Sequence, residues 1–256
     1  MDFKPTRPTR LTAAGSHYGK ESRRTHKRAE LVALDIVHDI VANSLQTGQH
    51  LLPEAVMADH YRVSRSTLRE ALRLLEVQGL IHLKPGPGGG PIVGSADPMY
   101  LARTAALHFH LKSANYRQLL SAQILIERNC AELAASHPDR QASMKPFARL
   151  APPESLEEYR EQVIGFHDTV YQLAANPVLT LLAGAITHIA TAHVVATMEP
   201  VERHGAILDE HVAMARAIAA GQVSRAGRLM AAHFRALYSY YEVHWPARLE
   251  ELIEWR

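Results

Sequence analysis

Three histidines, His167, His211 and His233, each lie in an apolar stripe at helical spacing. His167 has Val163, Ile164, Val170 and Tyr171 three and four positions away; His211 has Ile207, Leu208, Met214 and Ala215; His233 has Leu229, Met230 and Leu237. A lone histidine in such a stripe is ordinarily a hydrogen-bonded core residue. Three at one height favour a metal, because neutral imidazole is the commonest nitrogen donor for zinc and similar ions. The turn residues Gly221-Gln222 fall nearly midway between His211 and His233. In an antiparallel hairpin each imidazole is then about ten residues, roughly 15 Å, from the turn. Asn176-Pro177 gives the helix of His167 a turn at a comparable level. No Glu or Asp shares these apolar faces as an evident general base, and Glu210, next to His211, points about 100° away around a helix. The bland alternative is three core histidines bonded to backbone and to one another. His17, His26, His38 and the other histidines read as surface or capping residues.

A second chemistry belongs to Arg65, Arg69 and Arg73, four apart in HYRVSRSTLREALRLLEVQG. Leu68, Ala71, Leu72 and Leu75 make the apolar stripe of that helix, Ser64 suits its N-cap and Gly79 its end. A helix glued to a core on one side and carrying three arginines on another fits a DNA major groove, where arginine bonds guanine O6 and N7 bidentately or neutralises phosphate. A solvated amphipathic helix is the alternative.

The elements that must position these residues follow the hydrophobic period. A helix is expected from Thr25 to Thr47, with Leu34, Val37, Val41 and Leu45 on one face, then a short helix Pro53–His60 and the arginine helix. Leu80–Lys84 and Pro91–Val93 flank PGPGGG as two short strands around a wing tip, for which a bare linker is the alternative. After Asp97-Pro98 the period is helical near 98–112, 116–137, 155–175, 177–198, 202–220, 222–243 and 246–255, with four prolines marking 138–154 as loop or broken helix. The fold class is mainly α: a winged helix-turn-helix over residues 25–95 and an all-helical bundle of six or seven helices over 97–256.

With 256 residues and 47% hydrophobic side chains the chain can bury a sizeable core. The net charge of only +2 means any nucleic-acid affinity depends on where charge is placed. Residues 1–28 hold eight Lys or Arg against Asp2 and Glu21, and residues 1–24 read as a disordered basic tail. One cysteine, Cys130, and no apolar leader fit a cytoplasmic protein. The uncharged run Val178–Met198 is long enough to span a bilayer. Its Ala, Gly, Thr and His content, and the lack of flanking basic clusters, make it a helix buried on most sides of a bundle, with no membrane partner.

The run from Leu52 to Leu80, with VSRSTLREALRLLEVQGLI at its centre, resembles the N-terminal domain of GntR-family regulators. That resemblance implies a winged helix-turn-helix on double-stranded operator DNA. Arg65 and Arg69 would lie near the bases, with Ser64, Ser66, Thr67, Arg73, Lys84 and Gly86 completing the contact set. Many members have arginine where this chain has Ala55. Ile124–Glu127 with Ala131–Ala135, Gly165-Phe-His167 with Ala175-Asn-Pro177, Asp209-Glu-His211 with Ala217–Gly221, and His233 resemble the FCD domain of FadR-type members. Together the two resemblances cover about residues 26–243. The second implies a divalent metal (zinc, with nickel or manganese as alternatives) held by an acid four residues before His167 and by His167, His211 and His233. It also implies a small effector, commonly a carboxylate, beside the metal; the candidates to receive it are Gln123, Glu127 and His188. Val163 stands where the acid belongs, and Gln123 where many members carry an effector-pairing arginine. These changes leave either a three-histidine site with an open position or a site without metal.

The expected molecule is therefore a homodimeric, ligand-responsive transcriptional regulator reading an inverted repeat, and not an enzyme. Two rivals stand beside it: a metal-dependent enzyme built on the three histidines, and a regulator whose bundle serves only for constitutive dimerisation.

Overall fold

A computed structural model describes residues 20–86, 88–195 and 200–255, with side chains from residue 26 onward. The chain divides into two compact units, Met1–Ala96 and Asp97–Arg256. The expected basic tail lies largely outside the described residues.

In the first unit, α1 (Lys20–Ala42) packs on α3 (Arg65–Val77), with the short α2 (Glu54–His60) beside it. Helix α1 starts and stops five residues before the span expected from its pattern, so residues 20–24 belong to helix rather than tail. Its buried face also differs: Ala29, Val32, Ala33 and Ile36 enter the core, while Leu34 and Val41 are exposed. Both faces of α1 carry apolar residues, and the small side chains Ala29 and Ala33 let the face that bears them approach α3 most closely. Helix α3 forms as its sequence dictates. The Thr67 amide donates to Ser64 Oγ at 3.2 Å, satisfying one of the otherwise unpaired donors of the first turn. Leu68, Ala71, Leu72 and Leu75 are buried against Ile36, Met57 and Ile81. Gly79, at φ +70°, then reverses the chain.

Strands β1 (Ile81–Lys84) and β2 (Gly90–Val93) pair antiparallel, with Ile81 opposite Val93 and Lys84 opposite Gly90. Residues 48–51 run along the other edge of β2, through Gly48 N–H to Val93 O and Leu51 N–H to Pro91 O. Glu76 ties α3 to this sheet by accepting from the Leu83 amide at 3.1 Å. The arrangement is a winged helix-turn-helix.

The second unit is helical: α4 (Pro98–Leu111), α5 (Tyr116–Ala134), the five-residue α6 (Arg140–Met144), α7 (Leu156–Ala174), α8 (Pro177–Ala190), α9 (His204–Ala219), α10 (Val223–His244) and the five-residue α11 (Pro246–Glu250). Six long helices therefore carry the bundle, and the proline-rich stretch holds α6 and a 3-10 turn, Lys145–Ala148. Helix α5 is central, packing against α7, α8 and α10. Its start is fixed by a reciprocal cap: Asn115 accepts from the Gln118 amide and Gln118 accepts from the Asn115 amide. Ala175, at φ +48°, and Asn176, which caps α8, make the tight α7–α8 turn; Gly221, at φ +68°, makes the α9–α10 turn.

Helix α8 passes into a π-helical turn, Thr191–Val195. The sequence expectation that it is buried on most sides does not hold. Its inner face (Ala183, Ala185, Ile189, Ala190) is buried, but Val178, Leu181 and Leu182 are exposed. Only 28% of its most apolar stretch is buried within the chain, and this is the one described helix long and apolar enough to cross a membrane.

Candidate nucleic-acid interface and metal centre

On α3 the burial of Leu68, Leu72 and Leu75 forces the opposite side outward. Arg65, Arg69 and Arg73 are all exposed there, as are Ser64 and Ser66. Arg69 is not bare: its Nε donates to Glu54 Oε2 at 2.9 Å, which ties α3 to α2. Thr67, a candidate contact, is buried at 5% exposure, with its hydroxyl 2.8 Å from Oγ of Ser64, the helix N-cap. Lys84 and Gly86 are exposed on the wing, whose tip residue 87 lies outside the described residues.

In the bundle, His167 comes from the middle of α7, His211 from α9 and His233 from α10. The three rings converge, with centroids 5.1 Å apart for His167–His211, 5.9 Å for His167–His233 and 4.9 Å for His211–His233. One ring nitrogen from each lies within 4.8 Å of the others, and all three residues are buried. A tetrahedral zinc with bonds of about 2.0–2.1 Å spaces its nitrogens about 3.4 Å apart, so small side-chain movements close the set on an ion.

The surroundings are not those of core histidines bonded to backbone. Both ring nitrogens of His211 are buried without a hydrogen-bond partner, as is His167 Nδ1. Such orphaned polar atoms are costly in a core, and each neutral ring keeps one lone pair that a cation can take. Burial, reinforced by the neighbouring His167 and His233, holds the pKa of His211 well below 6.5; burial also lowers that of His233 against the opposing pull of Glu210. Both imidazoles are thereby kept neutral, the form that donates to a metal.

Two carboxylates stand behind these rings: Glu210, which the sequence reading set aside, and Glu127, which it expected as an effector contact. His233 Nδ1 lies 2.6 Å from Glu210 Oε2, and Glu210 Oε1 accepts from Arg203 at 3.0 Å. Glu210 does leave its helix away from His211, yet its length carries it to the ring on the neighbouring helix. Pointing away from His211 on its own helix therefore does not keep Glu210 from the site, which it reaches at His233. On the other side, His167 Nδ1 lies 3.5 Å from Glu127 Oε2, and Glu127 is wholly buried. Glu127 Oε1 accepts from Tyr171 and, at 3.2 Å, from Thr187, which in turn accepts from Gln123 at 3.2 Å. Burial and the Glu127 charge push the Tyr171 phenol well above 10, so it stays a donor. The signal for Glu127 was a charged residue at helical spacing among Leu120, Gln123, Ala131 and Ala134, all of them buried.

A cavity of about 560 Å³ opens beside His167 and His233, lined by Gln123, Thr187, Arg160 and Asp168 and by apolar side chains such as Leu120, Val163 and Leu237. Gln123 thus faces the cavity, and Glu127 sits behind its wall. His188, also a candidate effector contact, is exposed and does not line it; its neighbour Thr187 does. Val163 brings no oxygen to the site.

A winged helix-turn-helix joined in one chain to a bundle that encloses a histidine-lined cavity defines a class of two-domain regulators. Two family models match: the gntR family of bacterial regulatory proteins over residues 28–89, and the FCD domain over residues 118–236. The chain belongs to the GntR family and carries an FCD domain. It is similar to the Exu regulon transcriptional regulator of Escherichia coli (strain K12), at 35% identity over 130 residues, covering 50% of this chain and 47% of that protein. It therefore spans about half the length of that relative. The HTH-type transcriptional repressor NanR of Edwardsiella tarda (strain FL6-60) is 21% identical over 254 residues, covering 93% and 94% of the two chains. Among solved structures, Streptococcus agalactiae GntR matches with a TM-score of 0.59 at 18% identity, over 82% of this chain and 99% of that one, a likeness of fold.

Proposed function

We propose that the protein is a cytoplasmic, FadR-type transcriptional regulator that binds an inverted-repeat operator as a homodimer, its DNA affinity set by a small organic acid bound at a metal in the bundle. The observation that carries this reading is α3, whose leucines are locked in the core while Arg65, Arg69 and Arg73 all face outward. His167, His211 and His233 would hold a divalent metal of the zinc type, with nickel and manganese as the alternatives. The effector would occupy the adjoining cavity, its oxygen on the open position of the metal, within reach of Gln123 and Thr187. The regulator names of the relatives support this reading over an enzyme. The cavity beside the histidines supports it over a bundle that only dimerises.

Gel shifts on the promoter region test it. Arg65→Ala and Arg69→Ala are each expected to weaken specific binding by about 1–3 kcal/mol per half-site while the fold survives. Undiminished binding by both variants would overturn the assignment of α3. A DNA affinity that responds neither to metal nor to any carboxylate would overturn the assignment of the bundle.

A further inference from the structure

The donor set here contains no carboxylate: three imidazoles face one another, and each is neutral when it binds an ion. A dication held by neutral ligands in a buried site requires negative charge nearby, since an uncompensated charge in a low-dielectric interior is costly. The two glutamates supply it from behind the rings. Glu127 and Glu210 approach different histidines, and each meets the Nδ1 side: 3.5 Å at His167 and 2.6 Å at His233. At His233 the contact is a hydrogen bond, and a ring whose Nδ1–H is bonded to a carboxylate has its tautomer fixed, leaving Nε2 as the lone-pair donor; at His167 the carboxylate stands close to Nδ1 without a hydrogen bond. Tyr171 and Thr187 take the Oε1 atom of Glu127, while Oε2, the oxygen that faces His167, has no hydrogen-bond partner of its own.

We propose that Glu127 and Glu210 are paired positioning residues of the metal centre, fixing His167 and His233 as Nε2 donors and carrying the charge that its ligand shell lacks. This rests on the metal reading above and deepens it. Glu210 also bonds Arg203, so two carboxylates and one guanidinium set against a dication leave a single positive charge. That residue of charge suits a monocarboxylate effector, and the carboxylate need not be paired with an arginine at position 123. Glu127 further connects the site to the cavity wall: hydrogen bonds run Gln123–Thr187–Glu127 Oε1, and the other oxygen of Glu127 stands 3.5 Å from His167 Nδ1.

The test uses the full chain with zinc and cobalt(II) alone. Zinc dissociation constants are measured by competition with a chromophoric chelator, and the cobalt visible spectrum reports ligand geometry. Glu127→Gln and Glu210→Gln are each expected to weaken zinc binding about 10–100-fold and to alter the cobalt bands. Glu132→Gln, which removes a carboxylate of α5 paired with Arg128, is expected to change neither. Melting of the metal-free variants separates a folding defect from a metal defect, and half-buried Glu210 keeps the test open should the buried Glu127 variant unfold. Wild-type protein that takes up neither ion would overturn the metal reading and this proposal together. Wild-type protein that binds metal, with both glutamine variants keeping its affinity and spectrum, would overturn this proposal alone.

Discussion

At the scale of the residue, His211 shows most plainly how burial sets chemistry. Its ring stacks on Phe166 at 4.3 Å between centroids, and no hydrogen bond reaches either nitrogen. The folded state therefore refuses the proton that the unfolded chain accepts near pH 6.5. Above that pH the ring is neutral in both states and adds no pH dependence. Below it the unfolded chain binds more protons, so stability falls as pH falls, and His233 adds to the trend. Metal-free protein is expected to melt at a lower temperature at pH 5.5 than at pH 7.5, and His211→Leu should flatten that difference. A wild-type slope no steeper than that of the variant would refute the account. Zinc affinity should fall over the same pH range, because protons and metal compete for the same lone pairs.

At the scale of the element, the sequence makes α3 fully legible because three signals coincide there: a leucine stripe, a serine cap and a terminal glycine. The convergence of the histidines was legible too, since turn positions alone set their heights. What escaped depended on partners. In α1 two apolar faces compete, and shape complementarity with α3 chose the alanine-bearing one over Leu34 and Val41. For Glu210, the direction of Cα–Cβ was read correctly, but the reach of a long side chain across to α10 was not. His188 and Thr187 differ by one step around α8, and the packing of that helix on the bundle turns Thr187 to the cavity and leaves His188 exposed. The wing depends on a close approach that sequence does not display. A Cβ built at Gly94 would stand 2.1 Å from the Gly79 carbonyl oxygen, a backbone atom with little freedom to move. Gly94→Ala is expected to destabilise the first unit by about 1–3 kcal/mol, as other overpacking substitutions do. Denaturant unfolding of that unit checks it, and an unchanged midpoint would mean the strand end yields at no cost.

At the scale of the whole molecule, the outer face of α8 has no partner among the described residues. Val178 is 65% exposed and Leu182 41%, and the run from Val178 to Met198 carries no charge. An apolar, uncharged face of this kind marks a surface that another molecule covers. On the homodimer reading proposed above, a second copy of the chain would cover it, because a two-fold interface needs one self-complementary patch, and the absence of charge removes like-charge repulsion where the patch meets itself. Two recognition helices on one symmetric dimer would then read two half-sites, which converts a weak single contact into a specific one. Leu181→Glu with Leu182→Glu places four carboxylates at such an interface. If the parent dimerises through this face, the double variant is expected to sediment as a monomer at concentrations where the parent forms dimers, and to match the parent in helical content and zinc affinity. Its affinity for an isolated half-site should match that of the parent, while its affinity for the inverted repeat should fall at least tenfold, a loss of about 1.4 kcal/mol or more. A variant that remains dimeric would assign the dimer contact to another surface, and one that becomes monomeric yet binds the inverted repeat undiminished would separate dimerisation from DNA recognition.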